Sequence, residues 1–481
     1  MKRIFATMAM TAVAAFMALS ITSCGESEEP TPVPPGPGAE GNTIIVTAEA
    51  NSSATFTVEA ESSWTINNPI LWASFDVLSG TGNTDVTVTV SSANEEMVER
   101  IGTFTVNDET YYLIQRGIKD IVLPEGTFAL PGQFDELRIA VNTTFTKEDM
   151  SASTTTEWLT FTAIEATDST LLDDGNTYSD LKTYELVFAA TPNDGGEIKD
   201  GSVTLTCNGE NYEIPVRQFQ PIETDLTQDF YRHSVFLRFT STNCGYCPYM
   251  ETQFEQVYSD AEMHERVVPI SMYGSMQGGN YIWSNTNYFM NQYGAGGYPH
   301  CAINGVASVP NYQSIQLIGQ AIGDLIDEAT GNMPSKTNIM ASSTLEGNQV
   351  AIDLFIAAKE ELDINVFAFI LEDGIVGYQA DYGGLLDNAQ RHTHNYITRG
   401  ILTSVDGNVP NKIEDGLYYI RLVGEIPSEV ENADNAYIAI YTTYPGSYKG
   451  NVSLAEYTDL GFIVDNAAKL PLNGNVDFKY E

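Results

Sequence analysis

Two cysteines with two residues between them lie where an apolar run passes into a helical one. Residues 234–240 read SVFLRFT, which is typical of a buried strand, and three polar residues later comes the CGYC sequence that contains Cys244 and Cys247. Residues 249–258 have helical character, and Pro248 before them suits the first turn of a helix. A cysteine pair at such a junction strongly limits the folds that this segment can adopt.

The segment continues with the same alternation. Residues 267–272 form the next predicted strand, residues 278–295 are partly helical, residues 298–305 form a third strand and turn, and residues 314–329 repeat isoleucine and leucine at helical spacing. This order of strands and helices is typical of an α/β domain with a parallel element. We therefore predict one α/β domain over residues 222–334.

The position of the cysteines favours a redox reaction. Cys244 would lie at the positive end of the helix, where unsatisfied N–H groups stabilise a thiolate and lower the pKa of the thiol. Cys247, three residues further on, would face the same side of the helix and resolve a mixed disulfide. Attack and resolution are the two steps of thiol–disulfide exchange.

With this motif the chain resembles the thioredoxin superfamily. In that superfamily a cis-proline loop lies against the CxxC motif and shapes the substrate groove, and Pro299 is the matching residue of this chain. The resemblance implies that Cys244 is the nucleophile, Cys247 the resolving cysteine and Pro299 a groove residue. The chain departs from the superfamily at Asn243, where an aromatic residue is common, and at Cys301, an additional thiol after the proline.

Two other roles for the cysteines stay open at this level. In an oxidising compartment Cys244 and Cys247 would form a disulfide whether or not it turns over, so the bond would be purely structural. Alternatively, the two cysteines would bind zinc with Cys301 and His300. The order of strand and helix favours the redox role, and Cys301 is expected to pack as a small apolar side chain. We therefore predict no metal and no cofactor.

The first residues have the features of an export signal that ends in a lipid anchor. Lys2 and Arg3 precede an apolar run, and residues 1–23 end in small residues before Cys24. We predict that Cys24 becomes the lipidated first residue of the mature chain and attaches it to a membrane. Residues 24–42 then form an acidic and Pro/Gly-rich linker, which cannot bury a core.

The residues after Cys24 also predict a location. The sequence GESEE resembles the acidic tag with which Bacteroidetes lipoproteins reach the cell surface. The expected location is the outer membrane, at the cell surface or else on the periplasmic face.

The charge excludes two classes of partner. The chain has 64 acidic and 22 basic residues, and its net charge is −42. Nucleic acids and anionic lipid surfaces are bound by clusters of Lys and Arg, which so acidic a chain does not favour. We predict that nucleic acid is not a partner and that contact with the membrane is made through the lipid on Cys24.

Residues 43–118 and 119–221 read as two copies of one β unit. Short segments that alternate apolar and polar residues between turns predict an Ig-like β-sandwich in each copy. The first copy has a Trp-containing strand, a Gly-rich turn, Arg100 and Gly102 in the next strand, and a closing strand that ends at Gln115. It resembles the Bacteroidetes-associated carbohydrate-binding, often N-terminal (BACON) domain, and the second copy keeps the outline without the arginine.

The BACON resemblance implies a glycan as one partner, although such units also act as spacers. Sugar-binding platforms need exposed aromatic rings, whereas aromatic residues in strands are usually buried. Trp64, Trp72 and Trp158 are therefore expected to pack in the cores of the two units.

Residues 335–481 return to alternating strands and predict a C-terminal antiparallel β-sandwich. Within them His392 and His394 are two residues apart, so on a strand they would share one face and could hold a metal. A pair of hydrogen-bonded histidines is the favoured interpretation.

A larger resemblance covers about residues 224–481. The CGYC sequence, the loop at Pro299 and residues 391–399, RHTHNYITR, together resemble the outer membrane protein 28 family of Bacteroidetes lipoproteins. That family combines a thioredoxin-like domain with a C-terminal β-sandwich, and its biochemical activity is poorly defined.

We thus predict a multidomain, mostly β chain with two N-terminal Ig-like β-sandwiches, one thioredoxin-like α/β domain and a C-terminal antiparallel β-sandwich. The predicted function is thiol–disulfide exchange with protein thiols or disulfides by an outer-membrane or cell-surface lipoprotein. The alternative is a non-enzymatic binding or adhesion lipoprotein, with a glycan or protein ligand, that keeps the thioredoxin-like domain as a scaffold. The exposure and the reduction potential of the cysteine pair separate the two hypotheses.

Overall fold

The computed structural model describes residues 42–123, 126–167, 181–274, 283–308, 315–453 and 455–481. Strands make up 48% of the chain and helices 11%, so the prediction of a mostly β chain with several sheets is confirmed. The predicted signal of residues 1–23 and the lipidated Cys24 lie outside the described residues, as does almost all of the linker of residues 24–42. In the part of the chain that the structure describes, no helix has both the length and the apolar character needed to span a membrane.

The chain divides into two compact units. One comprises Met1–Asp120 and Asp168–Lys182, and the other comprises Ile121–Thr167 and Thr183–Glu481. The second unit holds the cysteine pair, so the candidate site belongs to it alone.

The first unit contains two sheets that enclose one core. Its strands are β1 Thr43–Val46, β2 Ser53–Val58, β3 Ser63–Asn67, β4 Ala73–Phe75, β5 Ser79–Thr81, β6 Thr84–Val90, β7 Arg100–Val106 and β8 Glu109–Gln115. The sheet orders are β1-β8-β7-β3-β5 and β2-β6-β4. Every second residue of β6 is buried, and Trp64 and Phe104 fill the core with them. The period-two pattern of the sequence thus places one face of each strand inside.

The second unit begins with two four-stranded sheets around a core of their own. Their strands are β9 Ile121–Val122, β10 Phe128–Leu130, β11 Glu136–Thr143, β12 Met150–Thr154, β13 Leu159–Ala166, β14 Lys182–Ala190, β15 Lys199–Cys207 and β16 Glu210–Gln218, with a 3-10 turn at Lys147–Asp149. The sheet orders are β10-β16-β15-β12 and β13-β14-β11-β9. Trp158 is buried here, as Trp64 is in the first unit, and Trp72 is half-buried, so the tryptophans belong largely to the interior.

The segment around the cysteines alternates strands and helices. Its strands are β17 Ser234–Thr240, β18 Val267–Tyr273, β19 His300–Ile303 and β20 Ala307–Ser308. Its helices are α1 Cys247–Tyr258, α2 Ala261–Arg266, α3 Thr286–Gln292 and α4 Ile315–Asn332. Strands β17 and β18 pair in parallel, and β19 runs antiparallel to β17. Asp260 caps α2 by accepting hydrogen bonds from two backbone N–H groups of its first turn.

The remaining strands follow α4. They are β21 Thr337–Glu346, β22 Gln349–Ala358, β23 Asn365–Glu372, β24 Ile375–Gly377, β25 His392–His394, β26 Ile397–Ile401, β27 Asn411–Glu414, β28 Leu417–Glu425, β29 Ala436–Pro445, β30 Glu456–Tyr457, β31 Phe462–Pro471 and β32 Gly474–Val476, with a 3-10 turn at Ala433–Asn435. Five of them form the sheet β27-β28-β22-β21-β32, and β24 pairs with β25.

One nine-stranded sheet joins the two C-terminal segments that the sequence separates at about residue 334. Its order is β30-β20-β19-β17-β18-β26-β23-β29-β31. The junction is a parallel pairing in which Ser271 of β18 is the partner of Ile397 of β26. The sequence contains no local signal for this pairing, because the two strands are far apart in the chain.

Three cores cover the two faces of the nine-stranded sheet. On one face Leu237, Phe239 and Ile270 pack with Phe369 of β23 and with Phe289 of α3 in a single core. On the opposite face α1 and α4 cover one end, and the five-stranded sheet covers the other. The α/β segment and the C-terminal strands therefore share apolar contacts over the whole first face.

The N-terminal sandwich of the second unit packs against the five-stranded sheet. Phe219 makes edge-to-face contacts with Phe355 of β22 and Tyr419 of β28, with ring centroids 4.9 and 5.5 Å apart. Beside these rings Asp353 accepts hydrogen bonds of 2.6 Å from the hydroxyl of Tyr419 and from Arg421. The aromatic contacts and the hydrogen-bonded carboxylate together hold the sandwich against the five-stranded sheet.

Candidate functional site

Cys244 and Cys247 form a disulfide between the end of β17 and the start of α1. The sulfur–sulfur distance is 2.12 Å, and the Cα atoms are 5.4 Å apart. Cys247 is the first residue of α1, with Pro248 in its first turn, as the sequence predicted. Cys244 is 7% exposed and Cys247 is 1% exposed. Cys244 is therefore the more exposed residue of the pair.

Backbone hydrogen bonds fold the chain tightly around the pair. The N–H of Cys244 donates to the carbonyl of Ser241 at 3.0 Å, and the N–H of Cys247 donates to the carbonyl of Cys244 at 3.2 Å. The first turn of α1 carries no acidic side chain. The positive end of the helix therefore faces the sulfurs without a carboxylate in that turn to offset it.

Gln379, between β24 and β25, completes this turn from a distant part of the sequence. Its side chain is 1% exposed. Its Nε2 donates to the carbonyl of Ser241 at 3.2 Å and to that of Cys244 at 3.0 Å. The same two carbonyls that close the turn are thus held by one side-chain amide.

The residues after Gln379 cover the turn, and we call Gln379–Tyr382 the cover segment. The N–H of Ala380 donates to the carbonyl of Thr242 at 2.7 Å, and the N–H of Tyr382 donates to the carbonyl of Gly245 at 2.9 Å. The ring of Tyr382 lies on Gly245, where it leaves no space for a side chain. The cover segment therefore limits access to the disulfide from this side.

Three tyrosines form the outer surface of the site. Tyr246 lies within the CGYC sequence and is 61% exposed, and Tyr382 is 72% exposed. The Tyr246 ring makes an edge-to-face contact with Tyr382 at 5.3 Å and a tilted contact with Tyr249 at 5.9 Å, measured between ring centroids. A molecule that approaches Cys244 meets these aromatic rings.

A buried ion network lies between α1 and the sheet. Glu251 is one turn after Cys247, and its Oε1 lies 3.3 Å from Arg238 of β17 and 3.0 Å from Nε2 of His392. Burial disfavours the carboxylate form of Glu251, but Arg238 and then His392 outweigh that effect and lower the pKa to about 2. The carboxylate stays charged and is compensated by its neighbours.

The histidine pair is hydrogen-bonded, as the favoured interpretation of the sequence held. Both residues lie on β25, and their rings are perpendicular with centroids 4.8 Å apart. His392 contacts Glu251, and Nδ1 of His394 lies 2.9 Å from the hydroxyl of Tyr273. Burial lowers the pKa of His394 to about 4, so this imidazole is neutral at physiological pH.

Pro299 enters the sheet at the same end as the disulfide. The Tyr298–Pro299 peptide bond is cis, and the proline is buried. The next residue, His300, is the first of β19 and pairs with Phe239 near the end of β17. The disulfide turn follows that end of β17, so the topology brings Pro299 to the edge of the sheet from which the turn emerges.

The zinc alternative receives no support from the geometry. The sulfurs of Cys244 and Cys247 are bonded to each other, and Cys301 is buried in the core beneath α1 and α4. Within the described ranges, no group of three or more His, Cys, Asp or Glu side chains could hold a metal ion.

Sequence reasoning missed the cover segment and the ion network. Arg238 did carry a signal, because an arginine inside an apolar strand requires a buried partner. Gln379 and Tyr382 carried none, because they lie in a polar, glycine-containing stretch that reads as an ordinary loop.

One family matches part of the chain. Residues 147–219 match the BACON family, described as "Putative binding domain, N-terminal". The match falls within the second predicted copy, although the first showed more of the sequence pattern. The BACON resemblance is thus confirmed for this range, and for residues 43–118 it stays a prediction.

Two solved structures are similar to parts of this chain. HBP35 of Porphyromonas gingivalis is 15% identical, with 51% of this chain and 77% of that chain covered and a TM-score of 0.41. A GH5 xyloglucanase of Bacteroides ovatus is 22% identical, with 20% and 21% covered and a TM-score of 0.15. No curated protein matches the chain. With TM-scores under 0.5, neither structure assigns a fold or an activity to this chain.

Proposed function

We propose that the chain is a surface-attached thiol–disulfide exchange protein and that Cys244 and Cys247 are its reactive pair. The observation that carries this proposal is the position of the disulfide. It joins the turn after a buried parallel strand to the first turn of a helix, with Cys244 as the more exposed cysteine. Together with the position of Pro299 at the same edge of the sheet, this arrangement supports a thioredoxin-like domain.

The disulfide form accepts two electrons from a substrate dithiol. A substrate thiolate attacks Sγ of Cys244, so a bond forms between these two sulfurs while the Cys244–Cys247 bond breaks. The electron pair of the broken bond passes to Sγ of Cys247, which takes up a proton. The second substrate thiolate then attacks the first substrate sulfur and releases Cys244 as a thiolate. The substrate leaves as a disulfide, and the protein is left as the dithiol.

The surroundings favour a thiolate on Cys244. The positive end of the helix dipole of α1 stabilises negative charge. Glu251, the nearest carboxylate along the helix, is compensated by Arg238 and His392 and so contributes little opposing charge. The high negative charge of the chain acts over longer distances, where salt screens it.

The partners follow from the site and from the N-terminal sequence. A protein substrate would contact Tyr246 and Tyr382, the exposed rings beside Cys244. The lipid on Cys24 would hold the chain to the outer membrane, at the cell surface or on the periplasmic face. No nucleic acid is expected at so acidic a surface.

A second candidate function is non-enzymatic binding of a glycan or protein at the cell surface. Two observations favour it: the match of residues 147–219 to a family described as a binding domain, and the burial of both Cys244 and Cys247. In this case the disulfide is structural, and the α/β segment is a scaffold.

An insulin reduction assay separates the two functions. The full mature chain should catalyse reduction of insulin by dithiothreitol, and Cys244→Ser should abolish catalysis. Cys207→Ser is the matched control, because it removes a thiol that lies outside the site. Cys247→Ser should trap a mixed disulfide between Cys244 and the substrate. Equal rates for the wild-type chain and Cys244→Ser would leave the binding function as the conclusion.

A further inference from the structure

We infer that Gln379 is a positioning residue of the exchange site: its side-chain amide holds the turn that carries Cys244 in the geometry from which the disulfide forms. This inference rests on the proposed function and specifies which part of the C-terminal sequence controls the reactive pair.

The hydrogen bonds of Gln379 converge on the turn. The amide group is buried, and its Nε2 lies within 3.2 Å of the carbonyl oxygens of Ser241 and Cys244. A third contact, of 3.1 Å, goes to the carbonyl of Ala380 and orients the amide from its own loop. An amide group has two N–H donors, so these acceptors use its full capacity.

The turn does not need Gln379 to satisfy its backbone. The carbonyl of Ser241 also accepts from the N–H of Cys244, and the carbonyl of Cys244 also accepts from the N–H of Cys247. Loss of the side-chain amide therefore leaves neither carbonyl unpaired, and the chain should still fold. What is lost is the link that fixes these carbonyls to the loop between β24 and β25.

This link affects the redox equilibrium. When the disulfide is reduced, the sulfurs separate and the turn gains freedom. Formation of the bond then costs the entropy of ordering the turn again. Because Gln379 holds the carbonyls of the turn from outside, it keeps the two thiols close in the reduced form and favours the disulfide. A purely structural contact would stabilise both redox forms equally and leave the equilibrium unchanged.

The variant Gln379→Met tests the inference, since methionine keeps the length of the side chain and removes both donors. The equilibrium constant between the full mature chain and dithiothreitol is measured from the fraction of alkylated cysteines. We expect a shift of about threefold to tenfold towards the dithiol, because without these hydrogen bonds the turn of the reduced form no longer keeps the two thiols close. Gln390→Met is the matched control, because Gln390 is an exposed glutamine of the same loop.

Gln379→Asn provides a second variant, which keeps the amide on a shorter side chain. It should shift the equilibrium in the same direction by less than Gln379→Met does. If the Gln379→Met variant does not fold, the shift in the dithiothreitol equilibrium of Gln379→Asn tests the inference in its place. Equilibrium constants equal to the wild-type value in the folded variants overturn the inference. The proposed function fails separately, if the wild-type chain has a measurable equilibrium with dithiothreitol and yet does not catalyse insulin reduction.

Discussion

Tyr382 lies on Gly245, and a methyl group at residue 245 would overlap Cγ of the tyrosine ring. The backbone N–H of Tyr382 also donates to the carbonyl of Gly245, so ring and backbone meet the same residue. The cover segment thus occupies the space that a side chain at residue 245 would need. This explains why the second residue of the CGYC sequence is a glycine.

Gly245→Ala should displace the Tyr382 ring and open the disulfide to small reductants. We expect a cost of about 1–3 kcal/mol in the free energy of unfolding, which is typical of overpacking, and several times faster reduction by a phosphine. Gly296→Ala is the control, because a methyl group there meets open space. Tyr382→Ala combined with Gly245→Ala should restore most of the lost stability. An unchanged reduction rate in Gly245→Ala would show that Tyr382 does not limit access.

Phe369→Ala should destabilise the disulfide site together with the C-terminal strands. Phe369 is fully buried in the core that also contains Leu237 and Phe239 of β17. The expected cost is about 3–5 kcal/mol, and amide hydrogen exchange in denaturant should show one common opening transition for the amides of β17 and for those of β29. Val409→Ala, at an exposed position, should change neither signal. Two separate transitions would mean that the shared sheet does not couple the segments.

The stability of the second unit should fall in mild acid because His394 is buried. Its pKa is lowered to about 4, whereas an unfolded histidine titrates near 6.5. The stabilising effect is complete above pH 6.5 and is lost as the pH falls towards 4, because the unfolded chain takes up the proton first. Between pH 7 and pH 5 this amounts to about 2 kcal/mol. The free energy of unfolding is measured by urea titration at several pH values. His394→Gln should depend less steeply on pH than the wild-type chain by this amount. The same pH dependence in both proteins would contradict the prediction.

Cys24→Ala should release the chain from membranes, because the predicted lipid is its attachment. Membrane and soluble fractions of cells that express each variant provide the measurement. The Cys207→Ser chain is the control and should stay with the membranes. It would show that release requires the loss of Cys24 in particular. Persistence of the Cys24→Ala chain in the membrane fraction would refute the lipid anchor. Protease treatment of intact cells then separates the surface from the periplasmic location.

The sequence predicted those parts of the site that depend on local order. An apolar strand, a CxxC sequence and a proline in the first turn follow each other within 15 residues, and each has a local conformational preference. The period-two pattern likewise predicted the sandwiches, because one face of each strand has to be buried.

The parts that could not be predicted depend on pairing between distant segments. The parallel contact of Ser271 with Ile397 is one residue pair long, and any exposed strand edge could compete for it. The hydrogen bond from Gln379 to the carbonyl of Cys244 likewise joins two distant parts of the chain. A polar side chain in a loop can form hydrogen bonds with many different groups, and the sequence alone does not indicate which of them it contacts.

The distance of 135 residues between Gln379 and Cys244 has a consequence for the order of folding. A chain made from its N-terminus exposes Cys207, Cys244, Cys247 and Cys301 before the cover segment exists. During that interval any two of these thiols can meet, and contacts between distant segments form late. A newly made chain should therefore pass through mispaired disulfides. A disulfide isomerase that is present until the last strands have been made should raise the yield of the native Cys244–Cys247 pair.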